Sequence, residues 1–191
     1  MTGKLLIFSA PSGSGKTTLV RELMKRFPNL EFSVSATSRA PRGQESHGVD
    51  YHFVTAEEFS RWIDEGRFVE WEEVYAGNYY GTLRSEMEKI WDRGSVCMFD
   101  VDVIGGIRLK SIFGADAMSF FIMAPTPEEL KRRLVARGTD SDENIGRRIA
   151  KAEFETAKAA EFDHIIVNDD IERAVAEIAS IIEPFIAAKN A

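Results

Sequence analysis

Apolar residues fall along this chain in two rhythms. Continuous apolar runs at 5–8, 95–101, 117–124 and 164–167 are each followed by a stretch with helical spacing. Such runs belong to strands buried on both faces, and their alternation with helical periods predicts a parallel sheet covered by helices on each side. The first helix is predicted over 17–27, with Leu19, Val20, Leu23, Met24 and Phe27 on one face and Pro28-Asn29 ending it. Later helices are predicted to begin near Val103, at Pro127 and after the run at 164–167.

Between 33 and 94 the rhythm changes. Strand candidates there are shorter and more polar, at 51–54, 68–75 and 79–82, the last two separated by Ala76-Gly77-Asn78 in the manner of a hairpin. A short helix between the first two carries a capping box from Thr55 to Glu58 and is closed by Gly66. The segment reads as an insert of mixed or antiparallel strands set against the parallel core. From Pro125 to about Glu161 the sequence is helical and basic, broken at Gly138-Thr139-Asp140, and Ser141-Asp142-Glu143 restarts a helix with acidic groups at its positive end. Two helices joined by a polar break could move as a lid. The expected fold class is α/β, with a three-layer core formed by 1–32, 95–124 and 162–191, a lobe at 33–94 and a helical lid at 125–161.

A length of 191 residues suits one domain, or one domain with a small insert, and 44% hydrophobic with 29% charged residues is the balance of an ordinary globular protein. The net charge of −7 argues against a surface that coats nucleic acid. No apolar stretch approaches the ~20 residues of a membrane span, and no basic-then-apolar signal segment precedes the first strand. The expected location is the cytoplasm, with no nucleic-acid, membrane or protein partner implied. The single Cys97, inside Val96-Cys97-Met98-Phe99, reads as core, as do Trp62, Trp71 and Trp91. His47, His52 and His164 lack the spacing of a metal site.

Chemistry enters directly after the first strand. Ser9-Ala10-Pro11-Ser12-Gly13-Ser14-Gly15-Lys16-Thr17-Thr18 carries the Gly-Lys-Thr ending of a phosphate-binding loop between strand and helix. There, successive backbone N–H groups curl around phosphate oxygens and the helix start adds partial positive charge. Gly13 and Gly15 permit the curl, Lys16 reaches the β- and γ-phosphates, and Thr17 offers its hydroxyl to Mg²⁺. Ala10 stands where the full pattern has Gly.

Arg39 and Arg42, in the Pro-containing segment Ser35-Ala36-Thr37-Ser38-Arg39-Ala40-Pro41-Arg42-Gly43, form a candidate anion clamp, to which Tyr51 and Tyr80 can add phenolic donors. Asp100 and Asp102 end a buried strand on one side, where ligands gather in open parallel sheets. Asp100 is placed to orient Lys16 or the water shell of a metal.

These fragments, together with Gly48-Val49-Asp50-Tyr51-His52-Phe53-Val54, Phe68-Val69-Glu70-Trp71, Gly77-Asn78-Tyr79-Tyr80-Gly81-Thr82, Arg137-Gly138-Thr139 and Val167-Asn168-Asp169-Asp170, resemble the guanylate kinase family. The resemblance runs in order over essentially the whole chain. It implies transfer of the γ-phosphoryl of Mg-ATP to GMP, with 33–94 as the GMP-binding lobe. By the same resemblance Arg39, Arg42, Tyr51 and Tyr80 hold the GMP phosphate, and Ser35, Glu70, Thr82 and Asp102 surround the guanine. Glu70 is the selector, because one carboxylate can accept from both N1–H and the 2-amino group of guanine. Lys16, Arg133, Arg137 and Arg148 match the catalytic cations, Asn168 lies near the adenine, and Arg132 and Arg147 read as solvated neighbours. Ile104 departs from the family, where a polar Gln is expected. Two alternatives stay open: a ribose-bisphosphate kinase of the same fold, which needs no guanine selector, and a non-catalytic phosphopeptide-binding module, against which stand Lys16-Thr17, the lid arginines and the absence of an attached interaction domain.

Overall fold

The computed structural model describes residues 3–136 and 142–188. Strand β1 (Leu5–Ser9) is followed by helix α1 (Lys16–Arg26), β2 (Leu30–Phe32), β3 (Ala36–Thr37), β4 (His52–Phe53), α2 (Ala56–Asp64), β5 (Phe68–Tyr75), β6 (Asn78–Leu83) and α3 (Arg84–Asp92). The rest comprises β7 (Val96–Asp100), α4 (Val103–Phe113), β8 (Ala117–Met123), α5 (Pro127–Ala136), α6 (Asp142–Thr156), β9 (His164–Val167) and α7 (Ile171–Ala187).

Five strands form the parallel sheet, in the order β2-β7-β1-β8-β9. Every residue of β1 is buried, as its unbroken apolar run predicts. Leu6 and Phe8 face Leu19, Val20 and Leu23 of α1 and Ala174, Ile178 and Ile182 of α7, while Leu5 and Ile7 face Met87 and Ile90 of α3 and Leu109 of α4. Period-2 alternation in one strand thus fixes two helical layers. The chain runs from β1 out to β2, returns to β7, then crosses β1 to reach β8. That reversal opens a crevice at the carboxyl ends of β1 and β7, where ligands bind in sheets of this kind. The register Phe8↔Asp100 places the loop after β1 beside Asp100.

The second sheet, in the order β4-β3-β6-β5, is mixed, as the change of rhythm predicts: β3 and β4 are parallel, and β6 is antiparallel to both β3 and β5. Tyr79 and Leu83 of β6 pack with Phe59 of α2, and Phe59 stacks on Phe68 at 4.4 Å between ring centroids. Thr55 caps α2, accepting from the Glu58 N–H at 3.1 Å, while the Glu58 carboxylate pairs with Arg61. Helix α3 is absent from the predicted elements. Only Met87 and Ile90 of its nine residues are buried, too few to establish a helical rhythm beside the polar lobe.

Trp62 and Trp91 are half-buried and pack on core clusters, but Trp71 is 41% exposed and corrects the reading of all three tryptophans as core. Glu70 and Glu72 turn into the cleft, so strand alternation turns Trp71 outward from edge strand β5. Helices α5 and α6 meet through Leu130, Leu134, Ile149 and Ala152. Their predicted break, with Arg137, Gly138-Thr139-Asp140 and Ser141, lies outside the described residues. Among the described residues no helix is long and apolar enough to cross a membrane.

Candidate active site

A cleft of about 540 Å³ runs from the phosphate loop to the second sheet, lined also by α5 and α6. Gly13 (φ 95°) and Gly15 (φ 86°) take the left-handed backbone that the loop's curl requires. Gly15 caps α1, whose first residue is Lys16, so the unpaired N–H groups of the helix open onto the cleft. Asn168, buried, donates from Nδ2 to the Ser14 carbonyl at 2.7 Å and braces the loop from outside the cleft lining. Thr17 and Thr18 line the cleft and are exposed.

Lys16 is ion-paired with Asp100. Burial pulls its ammonium down to about 8, against the opposing charges of Glu155 and Asp102. Strand β7 ends at Asp100, and Asp102 is the N-cap of α4, accepting from the Gly105 N–H at 2.8 Å. Both carboxylates still line the cleft, so capping and ligand contact are compatible for Asp102. Gly106 lets α4 approach β1: a Cβ there would lie 2.5 Å from Ser9 Oγ.

At the far end, alternation turns Glu70 and Glu72 of β5 and Tyr80 of β6 into the cleft, with Ser35 beside them. Thr82 Oγ1 donates to Glu70 Oε1 at 2.7 Å, across directly paired strands. Burial raises the Glu70 carboxyl to about 7; the Thr82 hydrogen bond opposes the rise and the nearby Asp102 charge adds to it.

Arg39, from the predicted anion clamp, already has partners within the lobe. Arg39 donates from Nε to Tyr80 Oη at 3.0 Å and forks onto Glu45 at 2.6 and 2.8 Å, while its guanidinium lies 4.9 Å from the centroid of the Tyr51 ring. This pairing holds the Glu45 carboxyl down at about 2. Arg42 is exposed and its side chain is not part of the cleft lining; its backbone N–H donates to Glu45 at 2.8 Å. Tyr51 is half-buried and lines the cleft, with its phenol pushed up by burial.

From the helical side, Arg133 donates to the Ser14 and Asn168 carbonyls at 3.5 and 3.1 Å, and Arg148 to Ser12 Oγ at 2.7 Å. Arg132 is exposed on Glu129, as predicted. Sequence reasoning missed Lys151 and Glu155, which line the cleft with Arg148 along one stripe of α6. The spacing 148, 151, 155 is the signal that could have found them. It also missed Glu45 and Glu72, which only the loop fold and the strand register bring into place.

The sequence model of the guanylate kinase family matches residues 2–185. A guanylate kinase of Bacteroides thetaiotaomicron is 53% identical over 186 residues, covering 97% of this chain and 91% of the relative. One of Porphyromonas gingivalis is 50% identical, with coverages of 96% and 98%. The crystal structure of guanylate kinase from Anaplasma phagocytophilum superposes with a TM-score of 0.78 at 32% identity, covering 98% of this chain and 88% of that one. A shikimate kinase structure at 15% identity and TM-score 0.51 shares the fold alone. With a phosphate loop, Glu70, Arg133 and Arg148 lining one cleft, and with matches of this extent, the chain belongs to the guanylate kinase family.

Proposed function

We propose that this kinase transfers the γ-phosphoryl of ATP to GMP, giving ADP and GDP, with the two phosphates meeting above Lys16. The observation that carries this is the hydrogen-bonded Glu70–Thr82 pair, whose Glu70 lines the same cleft as the phosphate loop. Guanine offers two adjacent donors to Glu70, whereas adenine offers an N1 acceptor there and leaves the carboxylate unpaired, a mismatch worth up to roughly 10⁴–10⁵ in discrimination. Ser35 and Asp102 complete the base pocket.

The phosphates of ATP sit on the backbone of residues 10–18, braced by Asn168. The GMP phosphate sits toward Tyr51, Tyr80, Arg39 and Arg42. An ionised oxygen of the GMP phosphate attacks the γ-phosphorus in line, forming one P–O bond as the bond to the ADP oxygen breaks. Lys16, Arg133, Arg148 and Arg137 neutralise charge on the moving group, for which little covalent chemistry is needed. The division into core, GMP lobe and lid follows from this reading, with closure excluding water.

Thr17 and Asp100 offer the hard oxygen donors that Mg²⁺ takes with phosphates and water, Asp100 acting through water, so the residues fit that ion. Bound there, it supplies charge neutralisation at the β- and γ-phosphate oxygens. The cytoplasm, where both nucleotides are found, is the proposed location, and buried Cys97, its thiol pushed up to about 12, suits a reducing compartment.

ATP-dependent turnover measured across GMP, AMP, CMP, UMP and ribose bisphosphate tests the reading. GMP is expected to be used with at least 10²-fold preference, with little ATP hydrolysis in its absence. Preferential use of ribose bisphosphate, or no turnover with any acceptor, would overturn it.

A further inference from the structure

Strand β5 changes face near its start. Phe68 pairs with Leu83 and lies in the core of the lobe, whereas Glu70, two residues on, pairs with Thr82 and lines the cleft. On a regular strand, residues two apart share a face. The difference is a bulge at 68–70, which sets one extra residue of β5 against β6 and re-aims the side chains that follow. Val69, at the bulge, packs on the core cluster that holds Phe99 and Leu109. Because β5 is an edge strand, the ladder holds it from the β6 side only.

Helix α4 holds it from the other side. Arg108 Nη1 donates to the Trp71 carbonyl at 3.0 Å and stands 3.5 Å from Glu72 Oε2, a buried oxygen with no hydrogen-bond partner among the described residues. One guanidinium thus grips the two residues directly after Glu70. Three residues earlier, on the same face of α4, Gly105 abuts Glu70 itself: a Cβ there would lie 3.6 Å from Glu70 Oε2 and 3.4 Å from Asp102 Oδ1. Glu70 and Asp102, the two carboxylates assigned to guanine, come from these two elements, and Arg108 links them.

We propose that Arg108 is a positioning residue for the acceptor base: by tying β5 to α4 just past the bulge, it holds Glu70 turned into the cleft beside Asp102. This deepens the proposed function and rests on its placement of guanine. Arg108 also bears on the charge of the selector. Burial raises the Glu70 carboxyl; the Thr82 hydrogen bond and Arg108 oppose the rise, Asp102 and Glu72 add to it, and Lys16, Lys151 and Glu155 also line the cleft.

The test is steady-state kcat and KM for GMP and ATP from pH 6 to 9 in the wild type, Arg108→Ala, Arg108→Gln and Arg108→Lys, beside thermal melts. Arg108→Ala should raise KM for GMP roughly three- to tenfold at pH 8, the size of one hydrogen bond, with kcat and KM for ATP within about twofold, the pattern of lost ground-state binding. The pH at which KM for GMP begins to climb should move upward in Arg108→Ala and Arg108→Gln, because a cation that favours the ionised carboxylate is gone. Arg108→Lys, which keeps the charge, should leave it where the wild type has it. Parallel losses in kcat, both KM values and melting temperature would make Arg108 a general brace of the fold and overturn the proposal. An unmoved KM and pH profile for GMP in Arg108→Ala would overturn it too, leaving a solvated surface cation. A wild type inert toward GMP would instead sink the underlying reading.

Discussion

In the proposed function the molecule holds phosphate at two places by different means. At the phosphate loop the donors are backbone N–H groups, shaped by Gly13 and Gly15 between a fully buried strand and a helix start. At Arg39 the donors are on a side chain, and four of the five guanidinium N–H groups are already taken by Tyr80, Ala40 and Glu45. The first site is ready-made because its donors cannot turn away. The second is held in shape by a resident carboxylate, with which an incoming phosphate must share or exchange donors. On the proposed reading, backbone geometry sets where the phosphoryl donor sits, and side-chain pairing across the second sheet sets which acceptor is admitted.

The sharpest break of this contrast is Lys16→Ala, which leaves the loop backbone in place and removes its one mobile cation. Turnover is expected to fall on the order of 10³-fold or more while GMP affinity changes only a few-fold, since the ammonium stabilises the moving group rather than the acceptor. Calorimetry with GMP beside steady-state kinetics checks both halves. Near wild-type kcat would disprove the role given to the loop.

Glu70→Gln acts at the other end. The amide keeps one acceptor but sets a donor against guanine's donors, so kcat/KM for GMP should drop about 10²-fold without creating a good AMP kinase. Kinetics with both nucleotides measures it, and an unchanged GMP value would make Glu70 a bystander.

The same division explains what the sequence reveals. Gly13, Gly15 and Lys16 declare their site because a loop between consecutive elements is local, and the four apolar runs declare the parallel sheet because strands buried on both faces need no partner to be read. Arg39, Tyr51 and Tyr80 are legible as a candidate anion site although each belongs to a different segment of the lobe, whereas Glu70 is legible only through the family resemblance. Glu45 and Glu72 escaped because their meaning lies in a loop fold and a strand register, which composition does not encode. Trp71 was misplaced for a related reason: hydrophobicity alone does not say that Glu70 and Glu72 claim the inner face of an edge strand.

Glu45→Ala probes the resident carboxylate. Arg39, with a side chain only 8% exposed, would keep its burial and lose its main partner, a loss of about 2 kcal/mol in folding stability readable by urea denaturation. Because the Glu45 carboxyl is held at about 2, below its unfolded value near 4.5, its contribution is present above 4.5 and lost as pH falls through 2. The wild-type advantage over the variant should therefore be constant from pH 5 to 8. An equally heat- and urea-resistant variant would mean that the fork is not held by Glu45. Lys16→Ala, in contrast, should leave stability nearly unchanged or slightly higher, because it relieves a buried ammonium.

The smallest expected effect is a titration confined to the acceptor end. Burial raises the Glu70 carboxyl to about 7, and only the ionised form accepts from both donors of guanine. GMP binding must then expel a proton below that point, so KM for GMP should rise roughly tenfold between pH 8 and pH 6, with KM for ATP nearly flat. Stability of the nucleotide-free protein runs the opposite way. A carboxyl raised from 4.5 contributes fully below 4.5 and loses that contribution as pH rises through 7. GMP should therefore raise the melting temperature more at pH 8 than at pH 6. The phosphate of GMP itself titrates near pH 6, so the comparison that isolates the protein is with Glu70→Gln, whose GMP profile should lack the inflection near 7. Parallel profiles in wild type and variant would place the titration on the nucleotide and return Glu70 to an ordinary carboxylate.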